Sequence, residues 1–195
     1  MSGKQNDLTD KEIKELLKNL TILIDTREQK NHIQQWLTSK KIKTKSKKLD
    51  YGDYSCFIPP VEGITDRPLF FDRDIVIERK KDIDELVNNL KDNASRIKAE
   101  FAHLNMYGTK YYIFLEDQLY DKHLENGNYR SQYKSDTLQA RLISLQCEYN
   151  TIIRPINKEY IAKNIYLYMY YEVRNILMRK GLKEGNFNDN SRNGI

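Results

Sequence analysis

Residues 75 to 80 read Ile-Val-Ile-Glu-Arg-Lys, an apolar run that gives way at once to three charges. The apolar part predicts a strand. Side chains on a strand alternate faces, so Glu78 and Lys80 share one side while Arg79 points to the other. Asp53 follows Gly52, a residue that permits a tight approach, and it opens a second short strand through Tyr54, Cys56 and Ile58. Neighbouring strands usually pair, and such pairing brings Asp53 beside Glu78. Two carboxylates converging on one point repel unless a cation or a proton lies between them, and hard oxygen ligands suit magnesium or manganese. That is the skeleton of a metal-dependent phosphodiesterase.

The surrounding pattern is α/β. Thr9-Asp10-Lys11-Glu12 has the spacing of a capping box, opening an amphipathic helix through Ile13, Leu16 and Leu17. The strand from Thr21 to Ile24 is nearly all apolar, as expected of one buried on both faces, and ends at Asp25. Asp25 or Glu28 reads equally as the cap of the next helix, which carries Ile33, Trp36 and Leu37. Lys41, Lys43, Lys45 and Lys47 alternate along an extended segment. They suit either a path along a DNA backbone or a charged edge strand that resists aggregation.

Residues 59 to 73 read as a loop. Asp82 is placed to cap a helix through Leu86 and Leu90, which puts Asp84 in its first turn. A second helix runs from about residue 94 to 106, with Arg96 and Glu100 away from its apolar side. A strand follows at 111 to 115. Glu116 and Asp117 read as ordinary loop acids, and 120 to 135 as loop or frayed helix. A helix to Tyr149, a strand at 151 to 154 and a long helix from Asn157 complete the order. The apolar band of that last helix is wide enough to meet a partner chain as well as its own core.

The chain has 195 residues, 39% hydrophobic and 31% charged, consistent with one globular domain. No apolar run approaches a membrane span, and the opening residues lack the apolar region of a secretory signal. Two cysteines make no disulfide framework, so an intracellular setting, cytoplasmic or nucleoid-associated, is expected. The net charge of +5 favours a polyanionic partner. His32, His103 and His123 are isolated and give no zinc spacing, and no Gly-rich nucleotide loop is present, so no nucleotide cofactor is expected.

Gly52-Asp53 followed by Glu78-Arg79-Lys80-x-x-x-Asp84, with an earlier strand ending in Asp25-x-Arg27-Glu28, resembles the signature of the XPF family of structure-specific DNA nucleases. The resemblance implies a restriction-endonuclease-like fold, a mixed central sheet flanked by helices on both faces. It implies a helical extension over 1–20, a nuclease domain over 21–180 and a disordered tail over 181–195. The tandem helix-hairpin-helix module of many relatives is not expected here.

The resemblance also implies roles. Asp53, Glu78 and the main-chain carbonyl of Arg79 would hold one magnesium or manganese ion. Asp25, with Glu28 as ligand or supporting acid, would hold a second. Lys80 would orient the attacking water or offset charge on the phosphorus. Arg27 would contact phosphate or pair with an acid, and Asp84 and Arg96 would support the site. Where the family commonly has glutamine four residues after that arginine, this chain has Glu100. The implied reaction is hydrolysis of branched, flapped or forked DNA to 5′-phosphate and 3′-hydroxyl ends, by a homodimer joined through helices. A scaffold that has lost catalysis and a restriction-type enzyme reading a short sequence remain as alternatives.

Overall fold

The computed structural model describes residues 8–28, 31–92 and 94–180, with backbone alone for 89–92, 94–97 and 180. In chain order the elements are α1 (Asp10–Lys18), β1 (Thr21–Ile24), α2 (His32–Ser39), β2 (Lys43–Ser46), β3 (Tyr54–Ile58), β4 (Leu69–Phe70) and β5 (Ile75–Lys80). They continue as α3 (Ile83–Asp92), α4 (Ala94–Met106), β6 (Lys110–Leu115), α5 (Tyr120–Glu125), α6 (Ser135–Tyr149), β7 (Thr151–Pro155) and α7 (Lys158–Lys180).

The strands form one mixed sheet in the order β2-β1-β3-β5-β6-β7, with β4 added to β3. β1 runs parallel to β2 and antiparallel to β3, β3 is antiparallel to β5, and β5, β6 and β7 are parallel. Alternation along the strands builds two helix-covered cores. Ile22, Ile24, Tyr54, Cys56, Ile75 and Ile77 face α1, α2 and α7. Val76, Tyr111, Ile113, Leu115 and Ile153 face α3, α4, α5 and α6. On the half of the second face that β1 and β3 supply, Leu23, Leu49, Phe57 and Phe70 cluster without a helical residue among them.

The capping box forms: Thr9 Oγ1 accepts from the Glu12 N–H, and Glu12 reaches back to the Thr9 N–H at 2.7 Å. Ile13, Leu16 and Leu17 thereby enter the same core as α7, whose Ile161, Ile165, Met169, Val173 and Leu177 are buried at helical spacing. Each such side chain contributes about 2 kcal/mol of apolar burial.

Two readings of the sequence need correction and a third is narrowed. Asn31, rather than Asp25 or Glu28, caps α2, its Oδ1 accepting from the Ile33 and Gln34 N–H groups. The 59–73 stretch contains β4, because Leu69 and Phe71 are drawn into the core on either side of Phe70. Of the two readings of the 120–135 stretch, loop or frayed helix, the helical one holds over α5, whose Tyr120 and Leu124, four residues apart, are buried in an otherwise polar segment. The expected tail over 181–195 lies outside the described residues.

Candidate active site at the rim of the sheet

Three chain segments bring the acids together through consecutive backbone bonds. Ile24 pairs with Tyr54, and Tyr54 with Ile77. One residue beyond, the Asp25 N–H donates to the Asp53 carbonyl at 2.8 Å, and the Asp53 N–H donates to the Ile77 carbonyl at 3.0 Å. Asp25 follows Leu23 in the alternation, Asp53 precedes Ser55, and Glu78 follows Val76, so all three belong to the sheet face away from α2 and α7. Gly52 makes the approach possible. Its φ is +67°, and a Cβ there would collide with Val76 Cγ1 and sit 3.1 Å from the Ile77 carbonyl oxygen.

Asp53 Oδ2 accepts the Arg79 N–H at 2.7 Å. Burial, and then the negative charge of Glu78, push the Asp53 carboxyl up to about 8, against the smaller pull of that N–H bond. Lys80 Nζ lies 2.6 Å from Glu78 Oε1 and 3.6 Å from Glu85 Oε1. Burial works to lower the pKa of Lys80, but Glu78 and Glu85 outweigh it and hold the ammonium charged. Behind them, burial and the charges of Glu78 and Asp53 keep the Tyr111 phenol protonated. The expected pairing of Glu78 with Lys80 on one side of β5 is therefore present.

Arg79 points to the opposite side, into a network the sequence reading did not anticipate. Its Nε and Nη2 donate to Glu116 at 2.8 and 3.2 Å, and Nη1 lies 3.5 Å from Glu28 Oε1. The Glu116 side chain is 3% exposed and also lies 2.9 Å from His32 Nε2. Glu28 accepts from the Tyr54 hydroxyl at 3.0 Å and from Asn31 Nδ2. The signal for Glu116 was its place one residue past β6. The parallel register sets Leu115 beside Lys80, and the Glu116 N–H donates to the Lys80 carbonyl at 2.9 Å.

Asp25 is only 1% exposed, and both its oxygens are engaged by protein. Oδ1 accepts from the Arg27 N–H and Nε at 2.8 and 2.6 Å, and Oδ2 accepts from the Leu49 N–H at 2.6 Å. Burial alone would raise its pKa, yet these donors hold it below the usual carboxylate value. Arg27 also donates to the Leu49 carbonyl, which ties the segment after β2 to the site, and two thirds of its side chain remains exposed.

The remaining expected residues are distributed around this centre. Asp84 Oδ1 accepts the Arg130 N–H at 2.7 Å and so anchors the chain between α5 and α6. Glu100 lies close enough for its charge to act on Tyr51 and Tyr111. Arg96 falls within α4, with its side chain outside the description. Lys43 and Lys45 lie on edge strand β2, and Lys47 continues its ladder by an N–H bond to the Ile24 carbonyl. Lys43 Nζ donates to Asn19, Lys47 Nζ to Asp72, and Lys45 and Lys47 lie over the rings of Phe57 and Phe70. Lys41 departs from the expected alternation: it occupies a left-handed turn with φ +56° after α2, before the extended segment begins.

The donor set fits a hard divalent cation at Asp53 and Glu78. These paired carboxylates sit under mutual strain that a cation relieves, with carboxylate oxygens as the donors. Among the described residues no group of three or more His, Cys, Asp or Glu is arranged to hold a metal ion.

The fold and this site can be set beside known proteins. XPF from Aeropyrum pernix superposes with a TM-score of 0.53 at 18% identity, over 86% of this chain and 64% of that one. XPF from Aeropyrum pernix in complex with DNA superposes with a TM-score of 0.50 at 18% identity, over 79% of this chain and 63% of that one. The chain thus spans somewhat under two thirds of either, and the shared architecture is the restriction-endonuclease-like mixed sheet with helices on both faces. No curated protein matches the sequence. The family profile described as "ERCC4 domain" matches residues 24–167, which include every strand end at the rim and far more than half of the sequence, and the chain therefore belongs to the ERCC4-domain family.

Proposed function

We propose that this protein is a divalent-metal-dependent endonuclease that hydrolyses DNA phosphodiester bonds, with branched, flapped or forked DNA as substrate. The observation that carries the reading is the convergence of Asp53, Glu78 and Lys80 on one face at the sheet rim, with the Asp53 carboxyl pushed up to about 8. Membership of the ERCC4-domain family and the DNA complex of the archaeal structural relative support DNA as the partner.

In this reading Asp53 and Glu78 hold magnesium or manganese, with the Arg79 main-chain carbonyl as a further donor. The ion supplies Lewis-acid stabilisation of the phosphate as it accepts the water nucleophile. Lys80, kept charged by Glu78 and Glu85, offsets negative charge gathering on the phosphate oxygens. Glu116 and Glu28 hold the Arg79 side chain and thereby the backbone between Glu78 and Lys80. Arg27, exposed beside Asp25, is placed to contact a neighbouring phosphate. Water adds to phosphorus, the 3′ oxygen leaves with a proton, and the products carry 5′-phosphate and 3′-hydroxyl ends.

One ion is favoured over two. Asp25 would have to release Arg27 and Leu49 to join a second, and Glu28 bonds Tyr54 on the Arg79 side. Asp25 is better read as the clamp that positions Arg27. A homodimer through α7 accompanies this function. Tyr160, Tyr171 and Met178, spaced by eleven and seven residues, form one exposed stripe along that helix. Its substrate places the enzyme with intracellular DNA.

The test is incubation of the pure protein with labelled fork, flap, Holliday junction and plain duplex, in magnesium, manganese or chelator. Cutting confined to branched DNA and abolished by chelator is expected. Uncut DNA bound with undiminished affinity would favour a scaffold, and sequence-dependent cutting of plain duplex a restriction-type enzyme.

A further inference from the structure

Tyr51, immediately before Gly52-Asp53, belongs to an aromatic group that the hydrolytic reading leaves without a task. Its hydroxyl lies 2.9 Å from His103 Nδ1, and the two rings are 5.5 Å apart. His103 meets the Tyr107 ring edge-on at 4.9 Å, and the Arg73 guanidinium lies 5.3 Å from the centre of the same ring. Together with Leu104 and Thr109 these side chains line a cleft of about 70 Å³. At about 10–15 Å³ as the least space that holds one water, it takes roughly five to seven non-hydrogen atoms, fewer than any whole base, so a base would enter by one edge of its ring with the remainder against the half-exposed Tyr107.

The cleft adjoins the proposed active site: Leu49, which lines it, donates its N–H to Asp25 Oδ2 at 2.6 Å. Tyr51 is two residues from Asp53, which limits the backbone separation to about 7 Å. α4 runs past both, with Glu100 acting on Tyr51 and Tyr111 and with His103 and Tyr107 further along. At the end of α4, Met106 is 83% exposed and Tyr107 53%, an apolar shelf beside a cationic residue. Asp50 and Asp72 also line the cleft, and Asp72 is neutralised by Lys47 at 2.8 Å.

We propose that the cleft bounded by Tyr51, Arg73, His103 and Tyr107 receives one unstacked base of the DNA strand adjoining the phosphate at Asp53 and Glu78. Aromatic walls match the faces of a base and tolerate any sequence, because every base presents a π-face. Asp50 supplies acceptors for its polar edge, the Thr109 hydroxyl donates to the Arg73 carbonyl at 2.6 Å and so fixes that wall, and Arg73 supplies a cation for the phosphate beside the base. A base inside a duplex cannot reach such a cleft without unstacking, which costs least where the strand is already unpaired. The cleft therefore selects DNA with an unpaired nucleotide next to the cut. This inference rests on the nuclease reading for its location.

The test uses the full chain, forks carrying 2-aminopurine at successive positions around the branch, and a paired duplex of the same sequence, bound in chelator and then cut in magnesium. The wild type is expected to change the fluorescence at one position only. Tyr107→Ala, at a half-exposed site that the fold tolerates, is expected to abolish that change and weaken fork binding roughly 5- to 150-fold. Duplex affinity should stay the same and Tyr107→Phe should retain the wild-type behaviour. Arg73→Ala should weaken fork binding without moving the position of the signal. Equal fork affinity and an unchanged signal in Tyr107→Ala, with cutting by the wild type intact, would overturn the cleft alone. A Tyr107-dependent signal in a protein that never cuts would support the cleft and overturn the nuclease reading.

Discussion

Asp53 shows how one side chain couples stability to the site. Unfolded, its carboxyl titrates near the ordinary value of 3.8, whereas in the fold burial and Glu78 push it up to about 8. Between these values the native protein retains a proton that the unfolded chain has lost. The contribution of this group to stability therefore falls as pH rises from about 4 to about 8. Asp53→Asn removes that slope, so without divalent ions its melting temperature at pH 8.5 should exceed that of the wild type by at least about 3 °C, the shift expected of 1 kcal/mol in a chain of this size. Magnesium should raise the wild-type melting temperature and leave Asp53→Asn unmoved; thermal melts at pH 5 and 8.5 check both. Glu116 tests the opposite side of β5. Glu116→Ala leaves the Arg79 guanidinium with Glu28 alone and should cost about 3 kcal/mol in denaturant unfolding.

The pairing of Glu78 with Lys80 was legible because it depends only on alternation within one strand. Glu116 was not, because its place beside Arg79 depends on a parallel pairing across more than thirty residues, and nothing in the local pattern distinguishes it from any acid after a strand. Asp25 was legible as a residue of the rim, and pairing with an acid was one of two readings of Arg27, but the full clamp was not legible. Its partners are the Leu49 N–H, set by the path of the chain after β2, and Arg27, whose side chain folds back by two residues.

Among the elements, β2 carries the clearest consequence. It is an edge strand with Lys43 and Lys45 on the sheet face that holds Phe57 and Phe70, and its ladder runs on through Lys47 to the Asp25 clamp. Lysines at an edge discourage pairing with another sheet, and the same row leads toward the proposed scissile phosphate. If all three contact the DNA backbone, replacing Lys43, Lys45 and Lys47 together by alanine should lower the salt dependence of binding by about 2 to 3 in the slope of log K against log salt. An unchanged slope would assign the lysines to edge protection alone. The order of strands and helices followed from periodicity; β4 was missed and α5 left undecided between loop and helix, because both are short elements whose few apolar residues sit in polar surroundings.

Taken together, the elements bring both helix-covered cores up to the rim where β1, β3 and β5 meet, with Ile24, Tyr54 and Ile77 one residue short of the acids. The rim collects charges that are paired there by Arg79, Lys80 and Arg27. The exposed stripe of Tyr160, Tyr171 and Met178 on α7 lies on the outer surface of one of these layers. Tyr171→Arg is expected to convert a dimer to a monomer in sedimentation at micromolar concentration, and a monomeric wild type would leave that stripe without its proposed partner.

The most direct measurement is single-turnover cleavage of a labelled fork by the wild type, Asp53→Asn and Lys80→Ala, each shown to bind the fork equally, with magnesium and with chelator. Cutting by the wild type in magnesium only, and its loss in both variants, is the predicted result. Cutting retained in Asp53→Asn, or cutting by the wild type that persists in chelator, would contradict the assignment of hydrolysis to a cation held at Asp53 and Glu78.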